Sequence, residues 1–282
     1  MSPQIQKVNP SFNILAPNIY TGSATLFIEA GPTGISFVVL NTGDCFQAVV
    51  TYSFPNRMNP AEIQEEMEEI LRTEPLLQKP FGKTHLIWTY PESILVPPEL
   101  YDREQSKDML ELVFGDLVQG SIFHDFLYRH NLYNTHRIPD SIRRIFEERI
   151  PVSTQRHQYS LLIDRARQEG NELFLCFYSG SFTLMLCKDG NLQIIRNVIY
   201  NTPEDVAYYL LDTCRCFEVA PDSVKLCLSG MIDRKSNLYA AVYKYFLHIG
   251  FAELPPHHAV AEEIRAHPPH FFSHLFYQAL CV

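Results

Sequence analysis

Leu26–Gln47 reads LFIEAGPTGISFVVLNTGDCFQ, and Leu173–Gln193 reads LFLCFYSGSFTLMLCKDGNLQ. Each stretch is an apolar strand, a Gly/Ser turn, a second apolar strand, a polar Gly turn and the start of a third strand. Ile35, Phe37 and Val39 correspond to Phe182, Leu184 and Leu186, and Gly43 corresponds to Gly190 at the same spacing. The second strand of each stretch is apolar at nearly every position, as in a sheet covered on both faces. Thr42-Gly43-Asp44 is a hairpin turn leading into a strand at Cys45–Phe54.

The correspondence continues beyond the hairpins. Asn59-Pro60 and Thr202-Pro203 each read as an N-cap followed by proline at the first helical position. Ile63, Met67, Ile70 and Leu71 fall on one face of the first helix, with Glu62, Glu65, Glu66 and Glu69 mostly elsewhere. Val206, Leu210 and Cys214 form the stripe of the second. Apolar strands follow at His85–Thr89 and Lys225–Leu228. Six elements in the same order, with spacing that changes only at turns, are what two related units produce.

The copies then diverge. The second runs into a helix capped by Asn237, with Ala241, Val242, Tyr245 and Phe246 inside. The first adds Pro91–Pro98, a helix at Ser106–Phe114, a strand at Ile122–Leu127, a helix at Pro139–Ile150 and a short strand at Val152–His157. Ser160–Gln168 reads as a helix joining the halves, and residues 1–24 as an arm or leading edge strand. The expected organisation is a first lobe over residues 1–168, carrying an insertion around 91–120, and a second lobe over 169–282 with a C-terminal tail.

Composition narrows the function. Hydrophobic residues make up 46% of the 282 and charged residues 20%, so a substantial core is expected. A net charge of -9 argues against a nucleic-acid backbone partner, which needs clustered Lys and Arg. Leu173–Cys187, the longest apolar stretch, is broken by Ser179, Gly180 and Ser181 and is too short to span a membrane. The polar, proline-broken start carries no leader pattern, and seven cysteines at irregular spacings read as free thiols, so a cytoplasmic location is expected.

Three hairpin-linked strands, a helix, a strand and a helix, present twice, resemble the plan of the actin-like ATPases. That superfamily includes actin, sugar kinases, chaperone ATPases and bacterial cell-division and pilus-assembly relatives. The chain is similar in detail to an uncharacterised bacterial family, a domain of unknown function, that shares this fold. The segments carrying the resemblance are ESILVPPELYD (Glu92–Asp102), IFHDFLYRHNLYNTHRIP (Ile122–Pro139), KDGNLQIIRNVIYNTPEDVAYYLL (Lys188–Leu211) and VKLCLSGMIDRKSNLY (Val224–Tyr239), with HPPHFFSHLF near the C-terminus. The resemblance implies an α/β protein with a duplicated actin-like (ribonuclease H-like) fold: two lobes, each with a mixed sheet and flanking helices, and a cleft between them.

The resemblance also implies where a nucleotide would bind. Active relatives use two hairpin turns, each with an Asp and glycines, to hold phosphates and Mg²⁺, and a strand ending in a Gly pair to hold adenosine. The matching positions are Glu29, Gly31, Thr33 and Gly34; Ser179, Gly180 and Ser181; and Ser229 and Gly230. Glu29 stands in place of one Asp, Cys176 in place of the other, Tyr178 in place of a glycine, and one glycine of the pair is kept. The expected site is therefore degenerate and needs no cofactor. The alternative is an ATPase or small-molecule kinase using ATP and Mg²⁺, with Asp164, Asp189 or Asp233 as the second acid. By analogy with the assembly-platform relatives, a protein partner is expected on the insertion, Pro91–Gln119.

Other features read as structural. His257, His258, His267, His270 and His274 crowd the tail, and His270 and His274 would share a helical face, but prolines interrupt the stretch and no H-E-x-x-H occurs. Cys214-x-Cys216 lacks zinc spacing. The Arg143–Arg149 helix has a solvated mixed-charge face.

Overall fold

The computed structural model describes residues 9–55, 58–116, 119–166 and 170–282. The chain divides into two compact units. One runs through Asp164 and takes in Ala259–Ile264 and Gln278–Val282; the other comprises Arg165–His258 and Arg265–Tyr277.

In the first unit, β1 (Phe12–Leu15) is the leading edge strand, and β2 (Thr25–Gly31), β3 (Gly34–Leu40) and β4 (Cys45–Ser53) are joined by hairpins. Helix α1 (Pro60–Thr73) leads to β5 (Lys83–Trp88). Asn59 caps α1: its Oδ1 accepts from the Ala61 and Glu62 amides at 3.0 Å, while Glu62 Oε2 accepts the Asn59 amide at 2.8 Å. Ile63, Met67, Ile70 and Leu71 are buried as the periodicity requires. Glu66 is buried with them, because it lies three residues after Ile63 and four before Ile70 and so shares their face.

An added layer follows, made of β6 (Ser93–Val96), α2 (Ser106–Phe114), β7 (Gly120–Leu127) and β8 (Leu132–Pro139). Its strands form a separate antiparallel sheet in the order β6-β8-β7. The chain re-enters the main layer through α3 (Asp140–Arg149) and β9 (Thr154–His157), then leaves along α4 (Gln158–Arg165). The main sheet runs β1-β4-β3-β2-β5-β9, with β5 and β9 parallel to β2. Leu26, Ile28, Ile35, Phe37, Val50 and Leu86 pack under α1 and α3 on one face. Trp88 stands edge-on to Phe146 at 5.2 Å between ring centroids.

A buried polar joint ties the added layer to the main one. Asn134 Nδ2 donates to Ser160 Oγ (2.9 Å) and to His157 Nδ1 (3.2 Å), and Asn134 Oδ1 accepts from Ser93 Oγ (2.5 Å). Ser160 Oγ and the His157 amide both donate to Asp125, and His157 Nε2 donates to the Tyr90 carbonyl. Burial holds both His136 and His157 well below the ordinary imidazole range.

The second unit repeats the main layer. Its strands are β10 (Glu172–Phe177), β11 (Ser181–Lys188), β12 (Asn191–Ile199), β13 (Lys225–Gly230) and β14 (His248–Phe251), ordered β12-β11-β10-β13-β14. Strands β13 and β14 are parallel to β10. That is the order and sense of β4-β3-β2-β5-β9. Helices α5 (Pro203–Cys216) and α6 (Asn237–Tyr243) cover Leu175, Phe177, Phe182, Leu184, Leu226 and Leu228. Thr202 caps α5 in a box with Asp205. The cap of α6 is Ser236, whose Oγ accepts from the Tyr239 amide, so Asn237 is the first helical residue. The helix ends at Tyr243, which leaves Tyr245 exposed, not in the core stripe.

The tail contributes to both units. Strand β15 (Ala259–Val260) pairs with Cys45–Phe46 of β4. Short helix α7 (Glu262–Arg265) and a 3-10 turn at Pro269–Phe271 precede α8 (Ser273–Ala279). The first eight residues of the expected arm and the last of the Ser160–Gln168 segment lie outside the described residues.

Candidate functional site

In the first unit, Glu29 points to the face opposite α1, because Ile28 and Ala30 take the core face. Across the sheet it stands in a row: Thr51 on β4, Ser36 on β3, Glu29 on β2, Ile87 on β5 and Arg156 on β9. Glu29 is only 5% exposed. The β2–β3 turn is the two residues Pro32-Thr33, closed by Gly31 opposite Gly34. Gly34 has φ 153°, and a Cβ there would overlap the Tyr52 carbonyl. Thr33 O accepts the Phe54 amide at 2.9 Å. Both the glycines and the Thr33 carbonyl thus serve the packing of this hairpin.

The equivalent row in the second unit is Asn197, Thr183, Cys176 and Ser229 on β12, β11, β10 and β13. Cys176, at the position matched to Glu29, is fully buried. Ser179-Gly180 forms the β10–β11 turn; the Tyr178 amide donates to Ser181 O at 2.8 Å, and Gly180 has φ 62°. Gly180 O accepts the Tyr200 amide, and Ser181 Oγ accepts from Asn197 Nδ2 at 3.4 Å. Gly230 lies next to Phe177 in the parallel register, so Ser179–Ser181 and Ser229-Gly230 are brought to the same end of neighbouring strands.

That end is covered by the tail. Ser229 is fully buried, and its Oγ lies 2.9 Å from Ser273 Oγ, 3.1 Å from the His270 carbonyl and 3.4 Å from His274 Nδ1. His270 Nε2 donates to the Ile232 carbonyl at 2.8 Å. The His274 ring stands edge-on to Tyr178 at 5.6 Å. Burial lowers its pKa to about 3, so it is neutral throughout the physiological range. His270 and His274 are engaged with Ile232 and Ser229 and do not converge on a shared point. Among the described residues, no group of three or more His, Cys, Asp and Glu side chains is arranged to hold a metal.

The three acids considered as a second carboxylate lie elsewhere or are engaged. Asp189 is in the β11–β12 turn, the far end of β11 from Ser179–Ser181. Asp233 accepts the Lys235 amide within its own loop. Asp164 pairs with Arg156 at 3.2 Å. Sequence reading missed the polar rows themselves. Ser36 and Thr183, single hydroxyls inside apolar strands, were the available signal. Ser273 carried no local signal and His274 stood out only as one of the crowded tail histidines, since their role depends on the tail's return to β13.

This topology is actin-like. The chain superposes on a Bacteroides thetaiotaomicron protein with an actin-like ATPase fold and unknown function at a TM-score of 0.71 and 17% identity, covering 87% of this chain and 95% of that one. The PilM-PilN type IV pilus biogenesis complex matches at 0.61 and 13%, covering 91% and 97%. Ethanolamine utilization protein EutJ from Carboxydothermus hydrogenoformans matches at 0.51 and 8%, covering 95% and 93%. The chain belongs to the family described as protein of unknown function DUF3822, whose model matches residues 18–249. A search of curated proteins found no match. Among the described residues, no helix is long and apolar enough to cross a membrane.

Proposed function

We propose that this chain is a non-catalytic binding or scaffold protein of the bacterial cytoplasm, derived by internal duplication, in which the nucleotide site of the actin-like fold has become degenerate. The observation that carries the reading is the burial of Ser229 under Ser273 and His274. The strand end that the resemblance assigns to adenosine is engaged by the protein's own tail. Chemistry supports it further. Cys176 stands where a second acid would be, and a buried thiol is a poor partner for Mg²⁺, which takes oxygen ligands. Glu29 is a single carboxylate, and phosphoryl transfer needs both a metal-holding and a nucleophile-orienting group. None of the seven cysteines is in a disulfide among the described residues, which is compatible with a reducing compartment.

The partner surface in this proposal is the added layer of the first unit, β6, α2, β7 and β8. The similarity to a protein solved within a pilus biogenesis complex is compatible with such a role and does not identify the partner. The test is calorimetric titration of purified, metal-free protein with ATP, with and without Mg²⁺. No heat up to millimolar ATP is expected. Saturable micromolar binding strengthened by Mg²⁺, and abolished in Glu29→Ala, would replace this reading with the ATPase one.

A further inference from the structure

Helix α2 has an apolar stripe that is largely uncovered among the described residues. Its inward face is Ser106 and Leu110, both buried. Met109, Leu112 and Val113 follow an i, i+3, i+4 pattern beside that face. Leu112 is 87% and Val113 63% exposed, and Phe114, next in the chain, is exposed as well. Most exposed apolar residues are isolated and need no explanation; an uninterrupted stripe on one helix does.

The surroundings of the stripe are acidic. Between Glu99 and Asp116 there are six acids (Glu99, Asp102, Glu104, Asp108, Glu111 and Asp116) and two bases, Arg103 and Lys107. Lys107 already pairs with Glu111 at 3.4 Å. Asp108 directly borders the stripe.

We infer that α2 docks a cationic amphipathic helix of a partner protein, with the partner's apolar residues on Met109, Leu112 and Val113 and its Lys or Arg residues facing Glu104 and Asp108. A helix suits the surface because α2, at nine residues, is a straight rod about 13 Å long, with Met109, Leu112 and Val113 lined up over about 6 Å of it. Charge complementarity selects a basic partner and disfavours an anionic membrane surface. This inference rests on the scaffold reading and names the chemistry of its partner.

The experiment uses the full chain and two synthetic helices of about four turns with Leu at i, i+3, i+4 and i+7. One carries Lys on its flanks, the other Glu. Fluorescence anisotropy is expected to show saturable binding of the Lys helix only, weakening with salt. Leu112→Asp should weaken it about tenfold or more. Glu104→Lys with Asp108→Lys should shift preference to the Glu helix, whereas Glu204→Lys on the second unit should not. Equal binding of both helices, binding of neither, or indifference to Leu112→Asp would overturn the inference. So would self-association in sedimentation that Leu112→Asp abolishes, or binding to phosphatidylglycerol vesicles in place of the Lys helix. The ATP titration, run on the same protein, separates the two failures. ATP binding defeats the scaffold reading, while silence to both ATP and the Lys helix defeats only the docking assignment.

Discussion

Gly230 sits beside Phe177 in the parallel β10–β13 register with φ 78°, so close that a methyl group on it would overlap the Phe177 carbonyl. The Met231 amide then donates to that same carbonyl at 2.9 Å. The glycine that the resemblance assigns to adenosine is therefore required by the strand end itself. Gly230→Ala combines a left-handed backbone with a backbone clash and is expected to destabilise the protein by at least about 2 kcal/mol. Urea denaturation monitored by circular dichroism would show it. An unchanged midpoint would mean that the close approach is not maintained in solution.

Asn134 should be the most sensitive polar residue of the added layer. Its amide serves Ser93, His157 and Ser160 in a buried setting. Asn134→Ala leaves those groups short of partners and should cost about 3 kcal/mol. Because the network joins the added layer to β9 and α4, amide exchange should rise first in β6, β7 and β8. Uniform exchange across the whole unit would argue that the joint has no local role.

Stability should fall with acidification. His136, His157 and His274 all have folded pKa values below that of an unfolded imidazole. Between about pH 6.5 and 3 the unfolded chain binds protons that the folded chain does not, so stability rises with pH across that window and is complete above it. Each such histidine contributes a slope of about 1.4 kcal/mol per pH unit. Denaturation midpoints measured from pH 7.5 to 4.5 should decline, and His274→Gln should make the decline shallower. A midpoint independent of pH would refute the assignment of these three as buried neutral groups.

The two capping boxes offer a matched comparison. Asn59→Ala and Thr202→Ala each remove a side-chain acceptor from the first turn of an equivalent helix. Each should cost about 1 kcal/mol. If calorimetry shows two transitions, each variant is expected to lower only the transition of its own unit. Both variants lowering a single shared transition would show that the units unfold together.

Legibility in the sequence followed the range of the interactions. The hairpins, α1 and α5 were readable because their signals are local: turn glycines, Asn-Pro and Thr-Pro caps, and stripes three and four residues apart. α2 was readable at Ser106–Phe114 for the same reason. β8 was not, because Leu132–Pro139 is dominated by Asn134, Thr135, His136 and Arg137, buried polar residues whose partners (Ser160, His124, His157 and Glu92) lie well away along the chain. The candidate nucleotide positions were placed by resemblance, and their chemistry departed from the pattern in the sequence itself at Glu29 and Cys176. What could not be read was the cover on Ser229, since a pairing between residues more than forty apart leaves no periodic trace.

The return of β15 to β4 has a consequence for how the chain is made. Cys45 and Phe46 emerge from the ribosome early, yet their outer neighbours, Ala259 and Val260, come more than two hundred residues later. Throughout that interval this end of the first sheet is an open edge, able to pair with any extended segment nearby. Closure waits on one of the longest-range contacts in the molecule, which makes it a slow step. A chain cut short before residue 260 would keep its first sheet nearly whole and still carry a permanent adhesive margin.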